Sequence, residues 1–196
     1  MQALLKLSRA IDALSTAVGK AAIWLVLVVT LISSGNAIVR YAFKYSSNGL
    51  LEIQWYLSSA IFLLCAGYTL MRNEHVRIDV IAGRFSPRVQ AWIDLIGTLF
   101  FLAPLAVIVL YLSWPTFINA YLSNEHSSNA GGLIVWPVRA LIPLGFLLLI
   151  LQGVSEFIKR VAFLKGLIPD PNARPATPSA EQELAKAIKR HRQEVP

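Results

Sequence analysis

Four apolar runs dominate the chain, at about residues 21–39, 51–71, 89–114 and 133–154. Each holds roughly 20 residues, and at 1.5 Å per residue a helix of that length crosses a ~30 Å hydrocarbon layer. None alternates apolar with polar positions, so the runs predict helices and not barrel strands. Polar interruptions fall near the ends of the runs: Asn36 and Arg40, Glu52 and Gln54, Asp94, Arg139. Ahead of the first run, Leu4, Leu7, Ile11, Leu14 and Val18 recur at helical spacing, with Lys6, Arg9 and Asp12 elsewhere on the wheel. That pattern predicts an amphipathic interfacial helix over residues 1–20 that feeds into the first span. Beyond residue 165 the pattern breaks, and Pro169, Pro171, Pro175 and Pro178 make residues 166–179 an extended linker. Ser179 and Gln182 are spaced as a capping box for a short basic helix in the tail.

Composition fits this division into an interfacial helix (1–20), a four-helix transmembrane domain (21–165) and a Pro-rich, basic tail (166–196). Of 196 residues, 56% are hydrophobic and only 15% charged, and the mean hydropathy is +0.57. Soluble domains carry about 25% charge. The fold class expected is therefore an all-α membrane protein with four transmembrane helices. The net charge of +7 marks orientation, not a nucleic-acid surface: 15 of the 18 Lys and Arg residues lie before the first span, between the second and third, or after the fourth. The long loop expected from Pro115 to Gly132 has none. Loops rich in Lys and Arg stay cytoplasmic, so both termini are expected inside. A cleaved signal peptide is the competing reading of residues 1–35, but the long amphipathic lead-in argues against it. Cys65 is the only cysteine, which excludes an internal disulfide.

Charges inside a bilayer raise a functional question. Asn36, Arg40, Glu52 and Arg139 are all expected at the outer level of the membrane, with Glu52 able to bridge to Arg40 or Arg139. One carboxylate facing two arginines reads as a structural ion pair and not as a proton carrier. Asp94 is expected to pair locally with Arg84 or Arg88. Pro104 and Pro143 free the carbonyls of Phe100 and Arg139, which bends a helix. Tyr41, Trp55 and Tyr56 form an outer aromatic belt. Enzyme readings lack their residues: His75, His126 and His191 all fall outside the spans, and no metal or phosphate-cradling motif occurs. The halves show no repeat and the span centres hold almost no polar groups, unlike an autonomous transporter.

Several strings point to one family. Asn36-x3-Arg40-Tyr41-x-Phe43 closes the first span, Glu52 opens the second with Trp55 and Tyr56 behind it, and the next loop reads Arg72-Asn73-Glu74-His75-Val76-Arg77-Ile78-Asp79. Over residues 19–165 the chain resembles the small, DctQ-like membrane subunit of TRAP (tripartite ATP-independent periplasmic) transporters. The string Ser127–Leu133 with Trp136-Pro137 resembles the branch associated with mannitol, chloroaromatic or 2-oxo acid uptake. The resemblance implies a non-catalytic inner-membrane subunit that braces a large multi-span partner, with a periplasmic solute-binding protein as third component. Substrate and sodium sites would belong to the large subunit, leaving no cofactor or metal in this chain. His75, Arg77 and Asp79 would then position a surface helix or a subunit contact. The alternatives are a cofactor-free membrane anchor of a multi-subunit enzyme and a small autonomous exporter.

Overall fold

The computed structural model describes residues 1–44, 47–73 and 85–169. Four helices among these residues are long and apolar enough to cross a membrane: α1 (Gln2–Phe43), α2 (Asn48–Arg72), α3 (Pro87–Leu122) and α4 (Trp136–Leu164). The chain is therefore an all-α, multi-pass membrane protein. Three helices outrun their apolar runs at both ends, and α4 starts later, at Trp136, but runs well past its own. The interfacial segment and the first span form one unbroken helix of 42 residues, ended by Lys44 in the left-handed conformation (φ 52°). The fourth helix continues past its apolar run to Leu164, so Glu156, Lys159 and Arg160 stand on its last turns within the bundle. The proposed capping box at Ser179 lies outside the described residues.

The third span corrects the sequence reading most. No loop begins at Pro115; the helix runs on to Leu122, with Pro115 inside it. Aromatic edges hold this extension: Trp114 to Phe117 at 6.0 Å, Phe117 to Tyr121 at 6.4 Å, and Tyr121 to Trp136 of α4 at 5.5 Å. Pro104 has a sharper effect than a bend. Residues Thr98–Leu102 form a π-helical turn in which the Ala103 amide donates to the Thr98 carbonyl. Pro104 cannot donate to Phe100, and widening the preceding turn by one residue accommodates its ring.

Helix α4 is the hub and packs on α1, α2 and α3, while α1 also packs on α2. Its position shows in burial: 39% of its most apolar stretch is buried, against 11% for α1 and 6% for α2. The helices approach through small residues. The buried apolar side chains are mostly alanines (Ala22, Ala60, Ala91, Ala106, Ala120, Ala162), whereas Trp24, Phe62, Phe101 and Tyr111 are 69%, 79%, 74% and 76% exposed. Large apolar groups outside and small ones inside is the arrangement selected when the solvent is as oily as the core. At Gly145 a Cβ would stand 2.8 Å from the Leu63 carbonyl, and at Gly19 it would stand 2.5 Å from the Tyr68 ring. Glycine at these points sets the α2–α4 and α1–α2 spacing.

Candidate functional site

Polar side chains gather at the two ends of the bundle, leaving an apolar middle. At the hairpin end, where α1 meets α2 and α3 meets α4, the centre is Glu52 in the second turn of α2. Its carboxylate is only 3% exposed. It accepts three hydrogen bonds, from the Ser127 hydroxyl, from Asn129 Nδ2 at 2.7 Å and from the Leu133 amide at 2.7 Å. All three donors come from the α3–α4 connection. That connection folds back on itself: the Ser127 amide donates to the Leu133 carbonyl at 2.9 Å and the Val135 amide to the Glu125 carbonyl at 2.8 Å. Gly131 takes the left-handed turn (φ 72°), and Asn48 Nδ2 reaches the Ala130 carbonyl at 3.1 Å. Glu52 thus ties α2 to the entry of α4 through a preformed loop.

The expected bridges from Glu52 to Arg40 and Arg139 do not form. Arg139 stands in the first turn of α4 and makes a forked pair with Glu125, at 2.6 and 2.5 Å. The guanidinium fork matches a carboxylate in two parallel bonds, and Glu125 lies on the connection that leads into the same helix. Arg40 is exposed on α1 and makes no ion pair with the described residues. Asn36 is buried, with 7% of its surface exposed and no partner for its Oδ1 among the described residues. It does not join the cluster around Glu52. His75, Arg77 and Asp79 lie outside the described residues. The missed partners had a signal in the sequence: a loop without Lys or Arg but rich in Ser, Asn and Gly offers a carboxylate neutral donors only.

At the basal end, where α1 starts and α4 finishes, the sequence reading missed a larger cluster. Gln152 is fully buried, accepts from Ser15 Oγ at 2.6 Å, and donates to Asp12 Oδ1 at 2.9 Å. Ser155 Oγ donates to the same Asp12 oxygen at 2.8 Å. Its single proton is then committed, so Ser8 is the donor in the 2.7 Å Ser8–Ser155 contact. Lys159 bridges Asp12 at 3.1 Å and Glu156 at 2.5 Å. Arg160 meets Asp94 at 3.3 Å and Glu156 at 3.6 Å. Asp94 therefore reaches across to α4, a partner that the local-pairing expectation did not include; Arg84 lies outside the described residues.

The two clusters are one membrane apart. Arg139 and Arg160 are 21 residues apart on one helix, about 32 Å at 1.5 Å per residue, against a hydrocarbon core of ~30 Å. Most cluster contacts link different elements, apart from the Glu156 pairs within α4, and the described residues hold no group of His, Cys, Asp and Glu suited to a metal ion. Chemically the arrangement fastens helices together through hydrogen bonds and ion pairs.

No curated protein and no solved structure matches the chain. Among protein families, "Tripartite ATP-independent periplasmic transporters, DctQ component" matches residues 29–163. This match covers all four spans from the middle of α1 to the end of α4, and it is to a family of transporter subunits and not of enzymes. The chain therefore belongs to the DctQ component family, the small membrane subunits of TRAP transporters.

Proposed function

We propose that this chain braces the large transport subunit of a sodium-gradient-driven uptake system for organic acids, without itself binding substrate or sodium. The observation that carries the reading is the placement of polar groups. They form helix-linking clusters at both ends, and the middles of the described spans are nearly all apolar. The helix exteriors, rich in exposed Phe, Trp and Tyr, supply surface for a partner membrane protein and for lipid alike.

The same reading places the chain in a bacterial inner membrane with both termini cytoplasmic, because the basal end carries the Lys and Arg excess. The hairpin end would then face the periplasm, where the solute-binding protein arrives. Leu4, Leu7 and Leu14 remain exposed on the first part of α1, which suits a helix lying against lipid while its Ser8, Asp12 and Ser15 face grips α4. The Pro-rich tail would be cytoplasmic. Affinity purification of the tagged chain from its native membrane in mild detergent tests the assignment. A large multi-span protein should copurify in equal amount. Recovery with a soluble oxidoreductase would support the enzyme-anchor alternative and overturn the proposal.

A further inference from the structure

The first half of α1 has two faces. Ser8, Asp12 and Ser15 turn inward and bond to Gln152, Ser155 and Lys159 of α4. Asp12 is the one acidic residue before Glu52, so this grip draws the only carboxylate of α1 toward α4. At about 100° per residue, Lys6, Arg9 and Lys20 then fall within about 60° of arc on the outer side. All three are exposed; Arg9 Nε rests 3.4 Å from the Leu5 carbonyl of its own turn, which leaves the guanidinium at the surface. Further round the same outer side, past Ala10 and Ala17, stand Leu7 and Leu14, 49% and 45% exposed.

The segment also keeps to the membrane edge, because the apolar run of α1 begins only at residue 21. Ser8 meets Ser155 and Ser15 meets Gln152, so about 10 Å of α1 covers only about 5 Å of α4. The segment therefore crosses the end of α4 obliquely, and the three cations, about 21 Å apart along the helix, differ in depth by about 10 Å. A headgroup layer is about 5–8 Å thick, and long Lys and Arg stems reach beyond it. Cations along one edge of a helix with aliphatic groups along the next is the pattern that seats at an anionic bilayer surface. We propose that residues 3–20 of α1 form a binding face for anionic phospholipid. Phosphate oxygens accept from Lys6, Arg9 and Lys20, and Leu7 and Leu14 enter the acyl boundary. The grip on α4 fixes the rotation of α1, so the face is preformed. A second copy of this chain fits worse, because matching arcs would set cation against cation. The inference needs only that the spans cross a membrane and is independent of the uptake proposal.

The test uses the full chain in phosphatidylcholine nanodiscs, with Cys65→Ser and Ala10→Cys so that one fluorophore sits on the outer arc. Small amounts of phosphatidylglycerol or phosphatidylcholine, spin-labelled on the acyl chain, quench it according to how often each lipid is beside it. A cation near an anionic surface is worth about fivefold in local lipid preference, so phosphatidylglycerol should be favoured about tenfold or more. Lys6→Gln, Arg9→Gln and Lys20→Gln together should bring the two lipids level, and salt at about 0.5 M should weaken the native preference severalfold. These side chains lie on the exposed side of α1, so the bundle keeps its contacts. Lys6→Glu with Arg9→Glu should reverse the preference. A fluorophore at Leu31→Cys, exposed within the first apolar run, should show none. Equal quenching by both lipids at position 10, a preference that survives the glutamine changes, or no quenching by either lipid, as when protein covers the face, would each overturn the proposal.

Discussion

Replacing Glu52 by Gln keeps the volume and changes one atom, which makes it the sharpest probe of the hairpin-end cluster. In the native arrangement Oε1 accepts from Ser127 and Asn129, and Oε2 accepts from the Leu133 amide. A carboxamide offers one oxygen. If that oxygen keeps Ser127 and Asn129, its NH2 faces the Leu133 N–H, donor against donor; if it turns to Leu133, Ser127 and Asn129 must reorient to accept from the NH2, and both lose a charged acceptor. Hydrogen bonds to a charged acceptor are worth about 1.5–3 kcal/mol each, so Glu52→Gln should cost about that much. Glu52→Ala should cost about 3 kcal/mol or more, though less than three full bonds, since the exposed Asn129 can turn to water. Hydrogen exchange in detergent micelles reads the effect locally. A loosening of that size raises exchange at the Leu133 amide by about 10- to 150-fold in Glu52→Gln, with further acceleration in Glu52→Ala and faster proteolysis of the 123–135 loop. Unchanged exchange in both variants would refute the structural role. So would an altered substrate affinity in an intact, unloosened complex.

Arg139→Leu should cost only about 1 kcal/mol in thermal stability, because the Arg139 and Glu125 side chains are 31% and 38% exposed. Removing both partners together should be milder than the sum of the single changes, which a double-mutant cycle measures. Asp12→Asn weakens the hold on Lys159, and should free the first turns of α1 by about 2 kcal/mol, seen as earlier proteolysis before residue 20 with the spans still folded. Gly145→Ala drives a methyl against the Leu63 backbone and should cost about 1–3 kcal/mol in thermal stability. Gly97→Ala, which meets open space, should be neutral or stabilising by up to about 1 kcal/mol.

Hydropathy made the four spans legible because lipid solvation acts on composition alone: any run long and apolar enough to cross is a helix. The ends were less legible. Glu156, Lys159 and Arg160 lie past the fourth apolar run in one dimension, and only the docking of α1 and α3 against α4 pairs Lys159 with Asp12 and Arg160 with Asp94. Glu52 stands out in the sequence as a polar residue at the hairpin end, but its hydrogen-bond partners differ from the cations expected. Sequence proximity favoured Arg40, twelve residues away, over donors some 75 to 81 residues on. Charge pairing also biases a reader toward cations, whereas a folded loop satisfies a carboxylate with a hydroxyl, an amide side chain and a backbone N–H. Pro115 illustrates the opposite error. The third apolar run ends at residue 114, which suggests a loop from there, but the aromatic row from Trp114 to Trp136 holds the helix on to Leu122 despite one missing hydrogen bond. Gln152 carried no visible flag, since a single amide in an apolar run acquires meaning only from what stands opposite it.

The central claim is that this subunit supports transport without performing it. Proteoliposomes containing the chain alone, or the chain with its copurifying large subunit, can be compared under an inward sodium gradient with loaded solute-binding protein outside. The account predicts substrate accumulation only when the large subunit is present, and none with this chain alone. Ion-coupled uptake by the chain alone would contradict it.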